Sequence, residues 1–346
     1  MTAVAKPRAL LIRVGRTDRH WWWNDVDHDA LACELVCRTL PLGVATVESP
    51  FSVNFVRLAA GTIRMLRQAR REGFAYVFTF ENDWLTLIIS SLQTLLMFRR
   101  PRHVILQFIM REPVPTLRSR LKYAFMRWCF RSVSLCVCSS QPESEYYARV
   151  FAWPAHKVAF VPFHTDPAFV ARPAAPEEPF AVAAGRTFRD YATLLEAARG
   201  GLAFPVTIVA GRGTVNPATA PPNVTLRYDI PLPELIGLMA RSAMVVLPLT
   251  ERDISTGQSV LLEAMAMGKP VIVTRVNGTV DYIDHMRTGV LVPPGDAAAL
   301  REAINRLAND SDLRHRLGAA GRDQVLQRHL PSHYAQGVAR ILKDRR

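Results

Sequence analysis

The chain has 346 residues, enough for two domains of ordinary size, and its 49% hydrophobic and 21% charged residues exclude global disorder. A formal net charge of +13 predicts an anionic partner of one of three kinds: a phosphorylated substrate, an acidic membrane or nucleic acid. A solvated basic surface rich in arginine is the alternative interpretation.

The five cysteines are odd in number and lie in apolar contexts, which predicts buried thiols in a reducing compartment. The longest apolar stretch, residues 85–98, falls short of the ~20 residues that a membrane-spanning helix needs. The short polar start does not have the pattern of a secretory signal. These features predict a cytoplasmic protein.

Short apolar strands alternate with helical patterns along the first half of the chain, which predicts a parallel, doubly wound sheet. The predicted strands cover residues 9–14, 44–47, 75–80, 104–109, 133–138 and 158–161. The predicted helices begin near residues 30, 53, 83, 116 and 142.

A polar loop over residues 15–29 follows the first predicted strand and carries three consecutive tryptophans, Trp21 to Trp23. Because ligands of open α/β sheets bind beyond the carboxyl ends of the strands, this loop is a candidate substrate-binding element. At least one tryptophan is expected to be exposed, where it could stack on a ligand or lie at a membrane interface. The alternative is that the tryptophans cap the edge of the sheet.

The densest basic region lies between Phe98 and Ser132, where many cations stand against a single acid, Glu112. Apolar residues recur at helical spacing from Leu117 to Trp128, and most of the basic residues lie off that stripe. This pattern is typical of a basic amphipathic helix that lies on an anionic lipid surface. The alternative is a surface helix whose apolar stripe packs on the sheet.

The second half begins after a linker at residues 162–167, which predicts an N-terminal domain over residues 1–165 and a C-terminal domain over residues 166–330. A strand at residues 180–184 leads to Gly185 and Arg186, and a helix begins near Asp190. A glycine followed by arginines at a strand end suits an anionic ligand. The alternative is that the arginines simply lie on the surface.

The stretch at residues 255–274 contains a helix that opens from a small polar loop, Ser255 to Gln258. Gly268 ends the helix, Pro270 blocks its continuation, and a β-branched strand follows. Unpaired N–H groups at such a helix start are a natural binding site for a diphosphate. Glu263, about two turns into the helix, could accept both vicinal hydroxyls of a ribose. Helix, glycine and strand in this order also occur in any α/β protein.

The run from Leu247 to Asp296 resembles the nucleotide-sugar half of GT-B glycosyltransferases, most closely those of the retaining family 4. The matching residues are Leu261–Ala266, Gly268–Ile272, Thr288–Val292 and Pro293–Asp296. The resemblance implies two facing Rossmann-like domains with an interdomain cleft. It also implies that a last helix, at about residues 331–346, packs back on the first domain.

The resemblance assigns roles to single residues. Arg186 maps onto the arginine that the family directs at the donor diphosphate, and Glu263 maps onto the ribose-binding acid. Arg189 is the cation nearest to the family's lysine, and the backbone at Ile230 is the candidate contact to the nucleobase. The predicted donor-binding residues are Arg186, Arg189, Ile230, Ser255, Thr256, Gly257, Gln258, Ser259 and Glu263.

Two positions depart from the family pattern. Ser255 stands where the family has a glutamate that contacts the donor sugar, and Asp253 or Glu251 could substitute for that acid from the loop. His164 stands in place of the glycine of an Asn-Gly-Val-Asp turn. The identity of the donor sugar is therefore open.

The resemblance implies transfer of a sugar from a UDP-linked donor to a hydroxyl acceptor, with retention of configuration and without a metal or another cofactor. Arg186 would offset the charge that develops on the leaving diphosphate. An inverting enzyme would need a base in the first domain. The candidates are His20, Asp25 and Asp27, with Glu112 behind them.

A lipid-linked saccharide is the preferred acceptor, because the basic amphipathic helix predicts contact with an anionic membrane, at the inner face of the plasma membrane. A small glycoside remains open as the acceptor. A nucleotide-sugar epimerase or a phosphorolytic enzyme on the same fold is a second hypothesis. A nucleic-acid-binding protein is a third, although the sequence contains no recognisable nucleic-acid module.

Overall fold

In the computed structural model, the described residues are 6–14, 31, 33–40, 53–80, 83–110, 112–173 and 175–345. The chain divides into two compact units. The first unit comprises Met1–Val161 with Tyr334–Arg346, and the second comprises Pro162–His333. Among the described residues, no helix combines the length and the apolar character needed to cross a membrane.

The first unit is built on a parallel sheet with the order β2-β1-β3-β4-β5-β6. Its strands are β1 (Arg8–Val14), β2 (Glu34–Leu40), β3 (Tyr76–Phe80), β4 (Arg102–Leu106), β5 (Leu135–Cys138) and β6 (Val158–Phe160). Its helices are α1 (Val53–Arg71), α2 (Asp83–Leu95), α3 (Leu117–Cys129) and α4 (Gln141–Phe151). The central strands β3 and β5 are buried along their whole length, which explains why they are continuous apolar runs.

The helix predicted near residues 30–39 is wrong, because Glu34–Leu40 forms the strand β2 at the edge of this sheet. A short run that mixes apolar and polar residues fits both the helical and the strand periodicity. Pairing with β1 makes this run a strand. Cys37 is exposed on this edge strand, so the prediction of buried thiols is wrong at this one cysteine. The strand predicted at residues 44–47 lies outside the described residues.

The second unit holds a parallel sheet with the order β12-β11-β10-β7-β8-β9. Its strands are β7 (Glu178–Ala184), β8 (Val206–Ala210), β9 (Val224–Tyr228), β10 (Ser242–Leu247), β11 (Val271–Thr274) and β12 (Val290–Val292). Its helices are α5 (Pro167–Val170), α6 (Tyr191–Arg199), α7 (Leu232–Arg241), α8 (Gln258–Ala266), α9 (Ala297–Asn309) and α10 (Ser311–Arg328). The direction of strand succession reverses between β7 and β10, the place where doubly wound sheets bind ligands.

The last helix, α11 (Pro331–Asp344), returns the chain to the first unit. Tyr334, Val338 and Leu342 are buried in one core with Ala9 and Phe78 of the sheet. The helix therefore stabilises the first unit by burying its apolar face there.

Candidate functional site

The loops that follow β7 and β10 join into one edge at the switch point of the second sheet. The Asp190 N–H donates to the Pro248 carbonyl over 3.0 Å, and the Thr250 N–H donates to the Phe188 carbonyl over 3.1 Å. Arg189 and Leu249 form an isolated antiparallel bridge between them. These bonds fix the carboxyl ends of the two central strands relative to each other.

Arg189 braces the loop after β7. Its Nε donates to the Ala184 carbonyl over 2.9 Å, and its Nη1 donates to the Thr187 carbonyl over 3.0 Å. The guanidinium lies so close over Gly185 that a Cβ atom there would clash with Nε. Burial lowers the pKa of Arg189 from its usual value. Arg189 therefore stabilises the conformation of this loop. Its predicted contact with a diphosphate stays a prediction.

Arg186 is exposed and lies beside the carboxyl end of β9. Its Nη2 is 3.2 Å from the Asp229 carboxylate, which also approaches Arg212 at 3.7 Å. Exposed ion pairs of this kind contribute about 0–1 kcal/mol. An anionic ligand at this edge could therefore recruit Arg186 at low cost.

The start of α8 lies at the same edge. Gly257 precedes the helix in the left-handed region with a φ of 89°, and Ser255 and Thr256 are buried. Thr256 Oγ1 and Gln258 Nε2 have no hydrogen-bond partner among the described residues. Buried polar atoms without partners are rare, and a bound ion, water or ligand is one explanation for them.

Gly278 packs against this loop from the turn after β11. A Cβ atom at Gly278 would lie 2.5 Å from the Thr256 nitrogen and 2.9 Å from Gln258 Nε2. Only a residue without a side chain allows this approach. Sequence reasoning missed Gly278, because a lone glycine in a loop gives no sign of the distant backbone that it contacts.

Glu263 is partly buried on α8, and its side chain has no hydrogen-bond or ion-pair partner among the described residues. Burial, and then the nearby Asp166 carboxylate, raises its pKa to about 7. Burying an unpaired carboxylate is costly, and hydroxyl donors from a ligand would offset that cost. Asp166 caps α5 by accepting from the Ala168 N–H over 2.7 Å, and the sequence did not identify it as a neighbour of Glu263.

The remaining donor-site predictions fall at or near the same edge. Ile230 is half-buried and directly follows Asp229, whose N–H donates to the Ala210 carbonyl over 3.1 Å. Ser259 is exposed in the first turn of α8. Asp253 and Glu251, the two possible substitutes for the family's acid, are both exposed in the preceding loop.

The predicted bases His20, Asp25 and Asp27 lie outside the described residues, as do the three tryptophans. Gln107 is a further residue of the first unit that sequence reasoning missed. It follows β4, is 1% exposed and has a φ of 52°. Neither its amide nitrogen nor its amide oxygen has a partner among the described residues. The sequence contains no signal for it, because the strand predicted at residues 104–109 extends past it, whereas β4 ends at Leu106.

The apolar stripe of α3 faces solvent. Leu117 is 72% exposed, Leu121 is 63% exposed and Phe125 is 54% exposed, whereas Met126 and Cys129 are buried. The interpretation that the stripe packs on the sheet is therefore wrong. An exposed apolar face next to basic side chains marks an interaction surface.

Residues 189–310 match the family model described as glycosyl transferases group 1. The capsular polysaccharide biosynthesis glycosyltransferase CapM of Staphylococcus aureus is 42% identical over 67 residues, which are 19% of this chain and 18% of CapM. The N-acetyl-alpha-D-glucosaminyl L-malate synthase of Bacillus anthracis is 38% identical over 111 residues, 31% of this chain and 28% of the synthase. The matches thus span less than a third of these curated relatives.

Solved structures match over nearly the whole chain. A glycosyltransferase from Rickettsia africae has a TM-score of 0.70 at 13% identity, with 98% of both chains covered. HepE of Anabaena in complex with UDP has a TM-score of 0.67 at 14% identity, covering 98% of this chain and 100% of HepE. The predicted fold is confirmed: the chain has the GT-B fold. The predicted resemblance is also confirmed, since residues 189–310 match the group 1 glycosyltransferase model.

Proposed function

We propose that the chain transfers a sugar from a UDP-linked donor to a hydroxyl group of a lipid-linked saccharide, in envelope polysaccharide or glycolipid assembly. One observation carries the proposal. The loop after β7 carries an exposed Arg186, and the loop after β10 leads into α8, whose Glu263 carboxylate has no partner among the described residues. A cation, a helix start and a carboxylate suit the diphosphate and the ribose of one nucleotide.

In this proposal the donor lies with its diphosphate at the start of α8 and its ribose hydroxyls on Glu263. Arg186 leaves Asp229 and pairs with the diphosphate, which gains negative charge as the bond to the sugar breaks. The N–H groups near Gly257 and Gln258 add to the same stabilisation. A UDP donor is supported by the solved structures of HepE, which hold UDP and UDP-glucose.

Retention of configuration completes the donor half of the proposal. The acceptor proton then passes to the leaving phosphate, and the chain needs no nucleophile or metal. Support comes from two relatives named for α-configured sugars, the malate synthase and an alpha-D-kanosaminyltransferase of Streptomyces kanamyceticus. An inverting reaction would instead require one of the predicted bases His20, Asp25 or Asp27.

The acceptor half of the proposal rests on the exposed face of α3. Its apolar side chains and neighbouring cations suit the surface of an anionic bilayer, with about 1 kcal/mol of attraction for each basic residue that reaches it. An enzyme held at the inner face of the plasma membrane would meet a lipid-linked acceptor there. The similarity to CapM, a glycosyltransferase of capsular polysaccharide biosynthesis, supports this acceptor class.

The test is to incubate the purified protein with a panel of UDP-sugars, with and without membrane lipids extracted from cells, and to measure UDP release and labelled lipid product. The proposal predicts UDP release that depends on the lipid fraction and is lost in Arg186→Ala. Arg316→Ala, an exposed arginine on α10, is the matched control. Sugar isomerisation or donor breakdown without lipid would favour the epimerase or phosphorolytic alternative.

A further inference from the structure

A cavity of about 890 Å³ opens at the amino ends of β3, β4, β5 and β6 in the first unit. Tyr76 and Arg102, the first residues of β3 and β4, form part of its wall, and Lys157 stands just before β6. Its size falls within the range of small-molecule sites. Because the strands are parallel, this edge is opposite the one where their carboxyl ends meet. The site predicted for the reaction does not use it.

Cations dominate the wall of this cavity. The basic side chains that line it, apart from His156, are Arg99, Arg100, Arg102, Arg131, Lys157 and Arg345. The described lining residues include no aspartate or glutamate. None of these six cations lies within ion-pair distance of a described carboxylate. The wall therefore carries an excess of positive charge that the described part of the protein leaves uncompensated.

Backbone contacts hold several of these cations in place. Arg102 Nη1 donates to the Arg345 carbonyl over 3.2 Å, and Lys157 Nζ donates to the Arg131 carbonyl over 2.7 Å. Arg345 Nη2 donates to the Val158 carbonyl over 3.1 Å, while its Nη1 is buried without a partner among the described residues. These contacts hold the side chains in place, and Arg345 keeps a donor that no described protein group accepts.

Electrostatic effects agree with this arrangement. Burial, and then the charge of Arg99, lowers the pKa of Lys157 from its usual value. Burial also lowers the pKa of Arg345, against a smaller opposite effect of Asp344. Like charges held together in a partly desolvated cavity are relieved when an anion binds between them.

We propose that this cavity binds a phosphate-bearing ligand. Arginine predominates in the wall, and its planar group pairs with phosphate oxygens through two parallel hydrogen bonds. Exposed apolar residues adjoin the cavity along the chain, since Leu96 is 61% exposed and Met97 is 87% exposed just before Arg99. The phosphate could therefore belong to a lipid headgroup whose chains lie along these residues, or to a soluble phosphate compound.

The first test titrates inorganic pyrophosphate by calorimetry into wild type, Arg99→Ala/Arg131→Ala and the charge-matched control Arg64→Ala/Arg67→Ala. All four arginines are exposed, so the fold is expected to persist, and circular dichroism melts check it. The proposed donor site is the same in all three proteins. A difference in their affinity for pyrophosphate therefore comes from the cavity. We expect the cavity variant to bind pyrophosphate about tenfold or more weakly than the control.

The second test measures flotation of the same proteins with vesicles of phosphatidylglycerol or of phosphatidylcholine at one fixed salt concentration. Loss of phosphatidylglycerol binding in the cavity variant but not in the control assigns the cavity to a lipid headgroup. Loss of pyrophosphate binding alone assigns it to a soluble phosphate compound. If the cavity variant matches the control in both tests, or wild type binds neither probe, the proposal is overturned.

Discussion

Glu263 combines a partly buried position with a pKa of about 7, so its charge changes within the physiological range. A carboxylate accepts hydroxyl hydrogen bonds, whereas its protonated form loses much of that capacity. We predict that the affinity for UDP falls by up to about tenfold per pH unit below pH 7. Calorimetric titration with UDP over a range of roughly one to two pH units on either side of this pKa measures the change in affinity.

The variant Glu263→Gln isolates the contribution of this carboxyl group. The phosphates of UDP also titrate at about pH 6. The pH dependence of UDP binding to wild type therefore combines the titration of Glu263 with that of the nucleotide. We expect the variant to bind UDP weakly at every pH and to retain only the dependence that comes from the nucleotide. Identical pH profiles for the two proteins would contradict the ribose-binding role.

The same carboxyl group affects the stability of the folded protein. Its folded-state pKa is raised from 4.5 to about 7, so the folded protein holds the proton more tightly than the unfolded chain. This contribution to the free energy of unfolding is fully present below pH 4.5 and is lost as the pH rises to about 7. The loss is at most on the order of 3 kcal/mol.

Urea unfolding measures this contribution to the free energy of unfolding. It is applied to wild type and Glu263→Gln at about pH 5 and about pH 8, near the two ends of this range. We expect the variant to gain stability relative to wild type at the higher pH. An equal difference at both pH values would show that the carboxyl group does not titrate in this range.

Gly278 offers a test of the loop at the start of α8. A side chain at this position would meet the Thr256 backbone, so Gly278→Ala is expected to displace the loop. We predict that UDP binding weakens by about tenfold or more, because small displacements of binding groups are costly. The control is Gly237→Ala on α7, where the nearest atom would be 3.6 Å away. Unchanged UDP affinity in Gly278→Ala would remove this loop from the donor site.

At the scale of elements, α3 turns its apolar residues toward solvent and buries Met126. We predict that Leu121→Gln/Phe125→Gln reduces binding to phosphatidylglycerol vesicles and leaves the melting temperature nearly unchanged, because both side chains are exposed. Vesicle flotation and thermal melts measure the two effects. Met126→Gln should instead lower the melting temperature, since it places an amide in the core. A large loss of stability in the double variant would contradict the exposed position of the stripe.

Local signals predicted the elements around the candidate site well. Asp190 caps α6 by accepting from the Thr193 N–H, Asp296 caps α9 by accepting from the Ala299 N–H, and Gly268 follows α8 with a φ of 71°. These caps and this glycine depend only on residues a few positions away in the chain, so the sequence alone indicates them. The strand β2 was missed because its conformation depends on pairing with β1, which periodicity does not reveal.

The face that a helix buries was harder to predict than the helix itself. The start of α3 was predicted correctly at Thr116, which caps it, but its apolar spacing gave equal support to a buried and an exposed stripe. The sequence also did not indicate which residues of the site lie next to each other. Asp166 lies near Glu263, and Gly278 contacts Thr256, through approaches that only the folded chain creates.

At the scale of the whole molecule, the net charge is +13, and basic residues are concentrated in two places in the first unit. One accompanies the exposed face of α3, and the other lines the cavity at the amino ends of the strands. The proposed donor site lies in the second unit and uses none of the cations in these two groups. The excess of basic residues is therefore expected to serve binding to anionic surfaces or ligands more than the donor itself.

The most direct test of the central claim is calorimetric titration of wild type and Glu263→Ala with UDP, GDP and ADP, with Arg316→Ala as the control. The account predicts that UDP binds in preference to the other two diphosphates, that Glu263→Ala loses this binding, and that the control keeps it. If none of the three diphosphates binds wild type below millimolar concentration, the nucleotide site assigned to the second unit is contradicted.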